Sequence, residues 1–227
     1  MEELAAQLSA NYQAAVEIVV ADLSSPVQVK SLAEKIVAEP RLALLVNNAG
    51  FGTLGRFWVA SLHSQEQMHQ LHVMATVRLT HAALGNMVPR DSGAVINVAS
   101  VAGFARSQGS VSYCATKSWM NIFSEGLYLE LRGMGSHVTV QTLCPGFTYS
   151  EFHDTMAIRR EKLASKALWL TADQVVDASL KGLKKGQLYV IPGWRYRLLT
   201  AIISKLPSKV RLAVELSRGK QRVEATN

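Results

Sequence analysis

Short apolar runs alternate with longer segments of helical spacing along most of the chain. The runs are rich in β-branched residues, which favours buried strands, and they predict strands at 14–23, 42–47, 94–99, 137–143 and 187–191. Between them, the spacing of apolar residues predicts helices over 2–9, 26–39, 64–87, 110–132 and 171–184. This alternation is typical of βαβ units, so we expect an α/β fold: a doubly wound parallel sheet with helices on both faces.

Polar or turn-forming residues stand where four of the predicted strands end. They are Asp22, Asn48, Ser100 and Pro145. In an open parallel sheet, ligands bind in the crevice at the carboxyl ends of the strands. The pattern therefore predicts that these positions surround a ligand site.

Residues 95–117 combine side chains that suit acid–base chemistry on a carbonyl or an alcohol. Ser100 ends a predicted strand, and Tyr113 and Lys117 stand four apart at the start of a predicted helix. That spacing places the phenol and the ammonium on one helix face. A neighbouring ammonium lowers the pKa of a phenol from its usual value of about 10. We therefore expect Tyr113 to exchange a proton near neutral pH, while Ser100 hydrogen-bonds the same substrate oxygen.

Three further segments carry recognisable motifs: VVADLS at 19–24, LALLVNNAG at 42–50 and LCPGFTYSEF at 143–152. Together with residues 95–117, and in this order, they resemble the short-chain dehydrogenase/reductase family over residues 1 to about 193. The resemblance implies a Rossmann-like fold and an NAD(P)(H)-dependent oxidoreductase that reduces a carbonyl or oxidises an alcohol. The alternative is a catalytically inactive, family-derived protein that acts as a binding or scaffold protein.

The resemblance implies a role for each residue of the candidate site. Tyr113 would be the acid/base, Lys117 would lower its pKa and hold the nicotinamide ribose, and Ser100 would orient the substrate oxygen. The cofactor would be NADP or NAD, with NADP the first candidate. The implied cofactor-binding residues are Asp22, Asn48, Ala49, Gly50, Tyr113, Lys117, Pro145, Gly146 and Thr148.

The cofactor residues divide between the two ends of the dinucleotide. Asp22 would accept a hydrogen bond from the adenine amino group, and residues 48–50 would let the backbone approach the adenosine. The turn at 145–146 would shape the loop over the nicotinamide, with Thr148 at its carboxamide. From the residues alone, Asp22 is equally a turn or helix-capping residue, and the alternative for residues 47–50 is a plain strand-to-helix turn.

The glycine motifs depart from the family pattern. The family opens with a strand and a TGxxxGxG loop that cradles the pyrophosphate at a helix N-terminus, and the 227 residues contain no such stretch. Residues 50–55 match GxGxxG literally, but no helical pattern starts at once and no acidic strand end follows, so we assign no dinucleotide fingerprint there. We expect a fold missing its first βαβ segment, whether as a fragment, through a misassigned start or as a shortened variant. An exposed sheet edge and weak dinucleotide binding should follow.

His72 stands where the family usually carries an Asn that helps to hold a water in the proton relay. Its imidazole either replaces that Asn or weakens the relay, and an ordinary core or surface histidine is the alternative. With His63, His69 and His81 it forms no HExxH or His/Cys ligand spacing, so no metal site is expected.

The net charge is +7, with a pI of about 9.5 and basic residues concentrated in the last fifth of the chain. Such a charge suits phosphate-bearing cofactors, nucleic acid or an anionic membrane, but no nucleic-acid-reading motif accompanies it, so we expect no nucleic-acid partner. We divide the chain into a family-like domain, 1–193, and a basic amphipathic helical extension, 194–227, interrupted at Pro207. The extension either packs over the pocket or between subunits, which we favour, or lies on a membrane surface.

Cysteine usage and the first residues bear on the compartment. Cys114 and Cys144 stand in apolar contexts and are expected to be buried free thiols. Together with an acidic start that lacks a signal-peptide pattern, they predict a cytoplasmic protein. We further expect a homo-oligomer and a small, partly apolar carbonyl or alcohol substrate, bound by residues around 104–108 and 152–170.

Overall fold

A computed structural model describes residues 1–152 and 165–223, with side chains described as far as residue 217. The strands are β1 (Leu44–Asn47), β2 (Ala94–Val98), β3 (Thr139–Leu143), β4 (Thr148–Tyr149), β5 (Leu170–Thr171) and β6 (Tyr189–Val190). Four of them form a parallel sheet in the order β1-β2-β3-β6, and β4 and β5 form a separate parallel pair. The carboxyl ends of the four strands therefore lie at one edge, as the sequence predicts.

The helices largely follow the predicted positions. They are α1 (Glu2–Tyr12), α2 (Pro26–Val37), α3 (Leu62–His69), α4 (Thr76–Met87), α5 (Val111–Gly133), α6 (Ala172–Lys184), α7 (Trp194–Lys205) and α8 (Ser208–Val223). A π-helix, Gln70–Ala75, joins α3 to α4, and short 3₁₀ turns span Val101–Phe104 and Lys166–Leu168. The predicted helix over 64–87 is thus a continuous helical segment, but it contains a π-helix that apolar spacing does not reveal.

Side chains on the two faces of the sheet pack against different helices. On one face Val95 and Val140 contact Met87 of α4 and Leu131 of α5. On the other face Ile96 and Leu143 pack with residues of α6. Neighbouring residues of a strand point to opposite faces, so this division confirms the doubly wound α/β fold.

The strand predicted at 14–23 does not form. Residues 13–22 belong to no ladder, and Val16, Ile18, Val19 and Val20 are exposed. A strand needs a neighbour to take up its backbone N–H and C=O groups, and no described strand pairs with this segment. Strand β1 is accordingly an edge strand, with Leu44 and Val46 exposed.

Helix α6 begins with the chemistry that its sequence predicts. The Thr171 hydroxyl accepts the Gln174 N–H while the Gln174 side chain accepts the Thr171 N–H, which completes a capping box. Asp173 lies in the first turn, and Gly186 follows the end with a φ of 63°. Helices α7 and α8 are separated at Pro207, as expected, whereas the domain boundary at 193/194 stays a prediction.

Across residues 1–152 and 165–223, no helix combines the length and apolarity needed to cross a bilayer. In the same part of the chain, no group of three or more His, Cys, Asp or Glu side chains is arranged to hold a metal ion.

Candidate active site

Ser100, Tyr113 and Lys117 converge at the carboxyl end of β2. The Ser100 side chain lies near enough to the Tyr113 phenol to lower its pKa, and the Lys117 ammonium lies 5.9 Å from the centroid of the Tyr113 ring. The Lys117 Nζ donates to the Val98 carbonyl at 2.8 Å, so the last residue of β2 fixes the lysine. The predicted grouping of hydroxyl, phenol and ammonium is therefore present.

The turn after Ser100 holds these groups together. The Ser100 Oγ accepts the Ala102 N–H at 3.1 Å and caps the 3₁₀ turn. Gly103 packs this turn on α5 so closely that a Cβ atom would lie 2.8 Å from the Lys117 carbonyl oxygen. The Ser118 hydroxyl also donates to the Gly103 carbonyl. A side chain at position 103 would push the strand end away from the helix that carries Tyr113 and Lys117.

The pKa of Tyr113 differs from the expectation. Burial raises it to about 12, against a smaller lowering by the hydrogen bond to Ser100. Burial also lowers the pKa of Lys117 to about 8. The phenol pKa is thus not lowered as expected, because desolvation disfavours the phenolate more strongly than the hydrogen bond with Ser100 favours it. At neutral pH Tyr113 is a protonated donor.

His72 is a buried residue that ties the loop after β1 to α5. Its Nε2 accepts the Phe51 N–H at 3.3 Å, and its Nδ1 lies 2.9 Å from the Thr116 Oγ1. The Thr116 hydroxyl lies 3.0 Å from the Tyr113 carbonyl, to which it donates, so the bonding pattern assigns the proton to Nδ1. Burial lowers the pKa of His72 to about 2. The imidazole is therefore neutral, and both of its nitrogens are engaged by the protein.

The loop of residues 48–50 approaches the site from β1. At Gly50 a Cβ atom would lie 2.7 Å from the His72 Nε2 and 3.6 Å from the Lys117 Nζ, so a glycine allows this approach. Asn48 and Ala49 are exposed. Asn47 does not form a local turn: its side-chain amide donates to Thr80 at 3.0 Å and to Asn97 at 2.8 Å.

Asp22 lies in a turn before α2 and bonds locally. Its Oδ1 accepts both the N–H and the hydroxyl of Ser24, at 2.8 Å and 2.7 Å. These bonds lower the carboxyl pKa and make Asp22 a turn residue before α2. It does not end a strand, because residues 13–22 join no ladder, which corrects the placement expected from the pattern.

The turn at Pro145 and Gly146 reaches the site from β3. The Pro145 carbonyl accepts from the Val101 N–H at 3.0 Å and from the Ser100 hydroxyl at 3.4 Å. The Thr148 hydroxyl donates to the Gly146 carbonyl at 3.1 Å. Pro145, Gly146 and Ser100 therefore lie together, as the strand-end pattern predicts.

Tyr196 of α7 is a site neighbour that sequence reasoning missed. Its hydroxyl accepts the Phe147 N–H at 2.9 Å and donates to the Leu168 carbonyl at 2.7 Å. A Cβ atom at Gly146 would lie 2.0 Å from the ring, so the aromatic plane rests on the glycine. No sequence signal marks these contacts, because the partners are 49 and 28 residues apart and belong to different elements.

Aromatic rings surround the Tyr113 phenol. The ring centroids of His72 and Phe152 lie 6.0 Å and 5.8 Å from that of Tyr113. Phe104 packs on Tyr189 at 5.8 Å.

Of the expected pocket segments, 104–108 and the ends of 152–170 are described, and 153–164 lie outside the described residues. Cys114 and Cys144 are buried free thiols, as expected.

Comparison with known proteins gives one consistent result. The family model described as short chain dehydrogenase matches residues 1–161. Nodulation protein G of Rhizobium sp. (strain N33) is 31% identical over 169 residues, which are 74% of this chain and 66% of that protein. An uncharacterized oxidoreductase of Staphylococcus saprophyticus is 30% identical over 168 residues, 73% of this chain and 71% of that protein.

Solved structures agree with the sequence matches. A short-chain dehydrogenase from Sphingobium yanoikuyae in complex with NADPH is 30% identical, with a TM-score of 0.79 over 91% of this chain and 82% of that one. A bulky-bulky ketone specific alcohol dehydrogenase from Comamonas testosteroni is 26% identical, with a TM-score of 0.74 over 91% and 80%. This chain spans about two thirds of the length of the first curated relatives that it matches. With the family model matching most of its residues, the chain belongs to the short-chain dehydrogenase family.

Proposed function

We propose that this protein is an NAD(P)(H)-dependent oxidoreductase that reduces a carbonyl or oxidises an alcohol through Ser100, Tyr113 and Lys117. The observation that carries the proposal is that Ser100, which follows β2, and the Tyr113 phenol lie beside the buried Lys117 ammonium. Ser100 and Tyr113 would donate to one substrate oxygen, with the Lys117 ammonium beside the Tyr113 ring. A hydroxyl, a phenol and an ammonium so placed can stabilise the negative charge that develops there.

The protonated state of Tyr113 favours the reductive direction near neutral pH. With the pKa raised to about 12, the phenol keeps its proton until a carbonyl oxygen gains negative charge. Tyr113 then gives that proton to the oxygen, while Ser100 donates a second hydrogen bond to it. Lys117, with a pKa of about 8, supplies positive charge that stabilises the phenolate left behind.

The donor set fits the two ends of a nicotinamide dinucleotide. An ammonium has three donors, of which Val98 O and Met120 Sδ take two, so Lys117 retains one for a ribose hydroxyl. Thr148 and the turn at 145–146 would hold the nicotinamide, and the exposed backbone at 48–50 and Asp22 would hold the adenosine. The bound nicotinamide would supply the hydride. We propose NADP ahead of NAD, since the chain carries a net charge of +7 and the Sphingobium relative is described with NADPH.

The substrate is proposed to be a small, partly apolar ketone, aldehyde or alcohol. Phe152 lies beside Tyr113, and Phe104 stands at the end of the turn that begins after Ser100, so apolar surface flanks the reacting oxygen. The Comamonas relative is described as specific for bulky-bulky ketones, which makes aromatic ketones a first panel to assay. A cytoplasmic homo-oligomer remains our expectation for the assembly.

Substitution of Tyr113 by Phe tests the proposal. The change removes the acid but keeps the ring, so ketone-dependent oxidation of NADPH should fall by about 10²–10⁴-fold. Tyr128→Phe is the matched control, because Tyr128 lies on α5 fifteen residues further along, about 22 Å away. Turnover of Tyr113→Phe at a rate near that of Tyr128→Phe would exclude the assigned role. An inactive parent chain that binds the ketone with or without Tyr113 would favour the scaffold alternative.

Cofactor affinity gives a second test of the site. The 227 residues contain no TGxxxGxG cradle, so the diphosphate of a bound dinucleotide would lack the backbone donors that such a loop provides. We expect a Kd for NADPH on the order of 1 mM, equivalent to about 4 kcal/mol of binding free energy. A fluorescence titration of NADPH measures it, and a micromolar Kd would show that other residues of this chain hold the diphosphate.

A further inference from the structure

The outward face of α7 carries an apolar stripe that is exposed within the part of the chain that the structure describes. Tyr196 and Thr200 turn inward and are buried. Trp194, Leu198 and Ile202 follow one another at four-residue intervals, which keeps them within one face of a helix. Their exposed fractions are 59%, 55% and 51%. The packing of the extension on the protein body thus uses one side of α7 and leaves a second apolar side to solvent.

Basic side chains border this stripe. Arg195 and Arg197 flank it, and Lys205 comes three turns after Trp194 on the same face. The Arg195 guanidinium lies 4.8 Å from the centroid of the Trp194 ring. Residues 194–217 contain five basic residues and one acidic residue, Glu215, a net charge of +4. The face is therefore both apolar and strongly positive.

We propose that the outward face of α7 docks on the surface of an anionic phospholipid bilayer. A helix with an apolar stripe and flanking Lys or Arg residues lies in the interface plane, with the stripe among the acyl chains and the cations at the headgroups. Indole rings sit at this depth because they are apolar with one polar edge. Anionic lipids add about 1 kcal/mol of attraction for each basic residue near the surface, which scales to roughly fivefold in partitioning. This docking does not depend on the proposed oxidoreductase activity.

The charge pattern favours a bilayer over a second copy of the chain. A twofold contact through this stripe is isologous, so each face would meet itself. Arg195, Arg197 and Lys205 of the two copies would then be brought together around the apolar contact, and like charges so placed oppose association. An anionic surface meets the same residues with opposite charge.

Co-sedimentation with lipid vesicles tests the proposal on the protein as it stands. It should pellet with phosphatidylcholine vesicles that contain phosphatidylserine and stay in the supernatant with phosphatidylcholine alone. Leu198→Glu should weaken partitioning by more than about tenfold, whereas Val27→Glu, at an exposed site on α2, should not. Lys205→Gln should weaken it about fivefold, and Lys30→Gln on α2 should leave it unchanged. Far-UV circular dichroism and thermal melts confirm that each variant folds.

Four results would overturn the proposal. The first is a failure to pellet with phosphatidylserine vesicles. The second is equal binding with and without phosphatidylserine. The third is an equal loss for Leu198→Glu and Val27→Glu. The fourth is a concentration-dependent dimer in analytical ultracentrifugation that Leu198→Glu abolishes, without vesicle binding, because the stripe would then be a self-association surface.

Discussion

The candidate active site and residues 13–23 differ in how far along the chain their side-chain bonds reach. At the site, side chains from distant elements bond one another: Asn47 reaches Thr80 and Asn97, and His72 reaches Thr116. In residues 13–23, the bonds of Asp22 go to Ser24 and Gln28 close by in sequence. Its valines and isoleucine are exposed although their pattern is that of a buried strand.

The difference shows what a strand pattern needs before it becomes a strand. Residues 44–47 and 94–98 have similar apolar runs, and each pairs with a parallel neighbour over its length. Residues 13–22 have the run but no described neighbouring strand, so no ladder pairs their backbone groups and their valines and isoleucine stay exposed. A β-branched sequence therefore indicates a preference for a half-buried strand, but the strand forms only where a neighbouring strand pairs with it.

Stability measurements should separate the two regions most clearly. Met87→Ala removes a fully buried side chain, 0% exposed, between α4 and the sheet, and should lower the free energy of unfolding by about 2–5 kcal/mol. Val20→Ala alters a side chain that is 80% exposed and should change it by less than about 0.5 kcal/mol. Urea titrations measure both. Similar losses for the two variants would mean that residues 13–22 are covered in solution.

A smaller change in the free energy of unfolding is expected from substitutions where α7 packs on the site. In Gly146→Ala the new methyl would lie 2.0 Å from the Tyr196 ring, and we expect a loss of about 1–3 kcal/mol of stability from this overpacking. In the Tyr196→Ala background, Gly146→Ala should lower the free energy of unfolding by less than it does alone. A double-mutant cycle in urea measures this difference. Gly126→Ala is the control, since nothing lies within 4 Å of its added methyl on α5, and it should stabilise by about 0.5–1 kcal/mol. Additive losses at 146 and 196 would contradict the contact.

Local spacing predicted the parts of the site that lie on single elements. Tyr113 and Lys117 share a face because four residues make about one helical turn. Ser100 joins them because it follows β2, the strand whose last residue, Val98, binds Lys117. The structure thus confirms the grouping that sequence indicated. The roles assigned to these residues stay proposals, as do those of the cofactor-binding positions.

Sequence could not supply the features that depend on distant partners. The pKa of Tyr113 is raised because burial outweighs the lowering by Ser100, and the degree of burial is set by elements far apart in the chain. The Tyr196 hydroxyl meets Phe147 and Leu168 only after α7 folds back. Likewise, the pattern at 14–23 carries no sign of whether a neighbouring strand is present. These are tertiary effects, and local propensity does not encode them.

The smallest expected difference is between two aspartates, one that bonds distant residues and one that bonds residues of its own turn. Asp91 accepts hydrogen bonds from the Ser136 hydroxyl and the His137 N–H at 2.8 Å and 2.7 Å, and its Oδ2 lies 2.6 Å from the His137 Nδ1. It thereby joins the loop after α4 to the start of β3, and these bonds lower its pKa to about 2. Asp22 has a lowered pKa too, but through bonds within its own turn.

Because the folded pKa of Asp91 lies below the unfolded value of about 3.9, its stabilisation is complete above that value. It is lost as the pH falls towards about 2. Asp91→Asn should therefore lower stability near pH 6, and the difference from wild type should shrink in urea titrations as the pH is brought down through this window. Asn tolerates the positive φ of 50° at this position, so the change isolates the carboxylate. Asp22→Asn should show a smaller loss, because its bonds are to a residue two positions away and do not join distant segments. An Asp91→Asn difference that stays constant from pH 6 to the acid limit would show that the ionised carboxylate does not hold the two segments together.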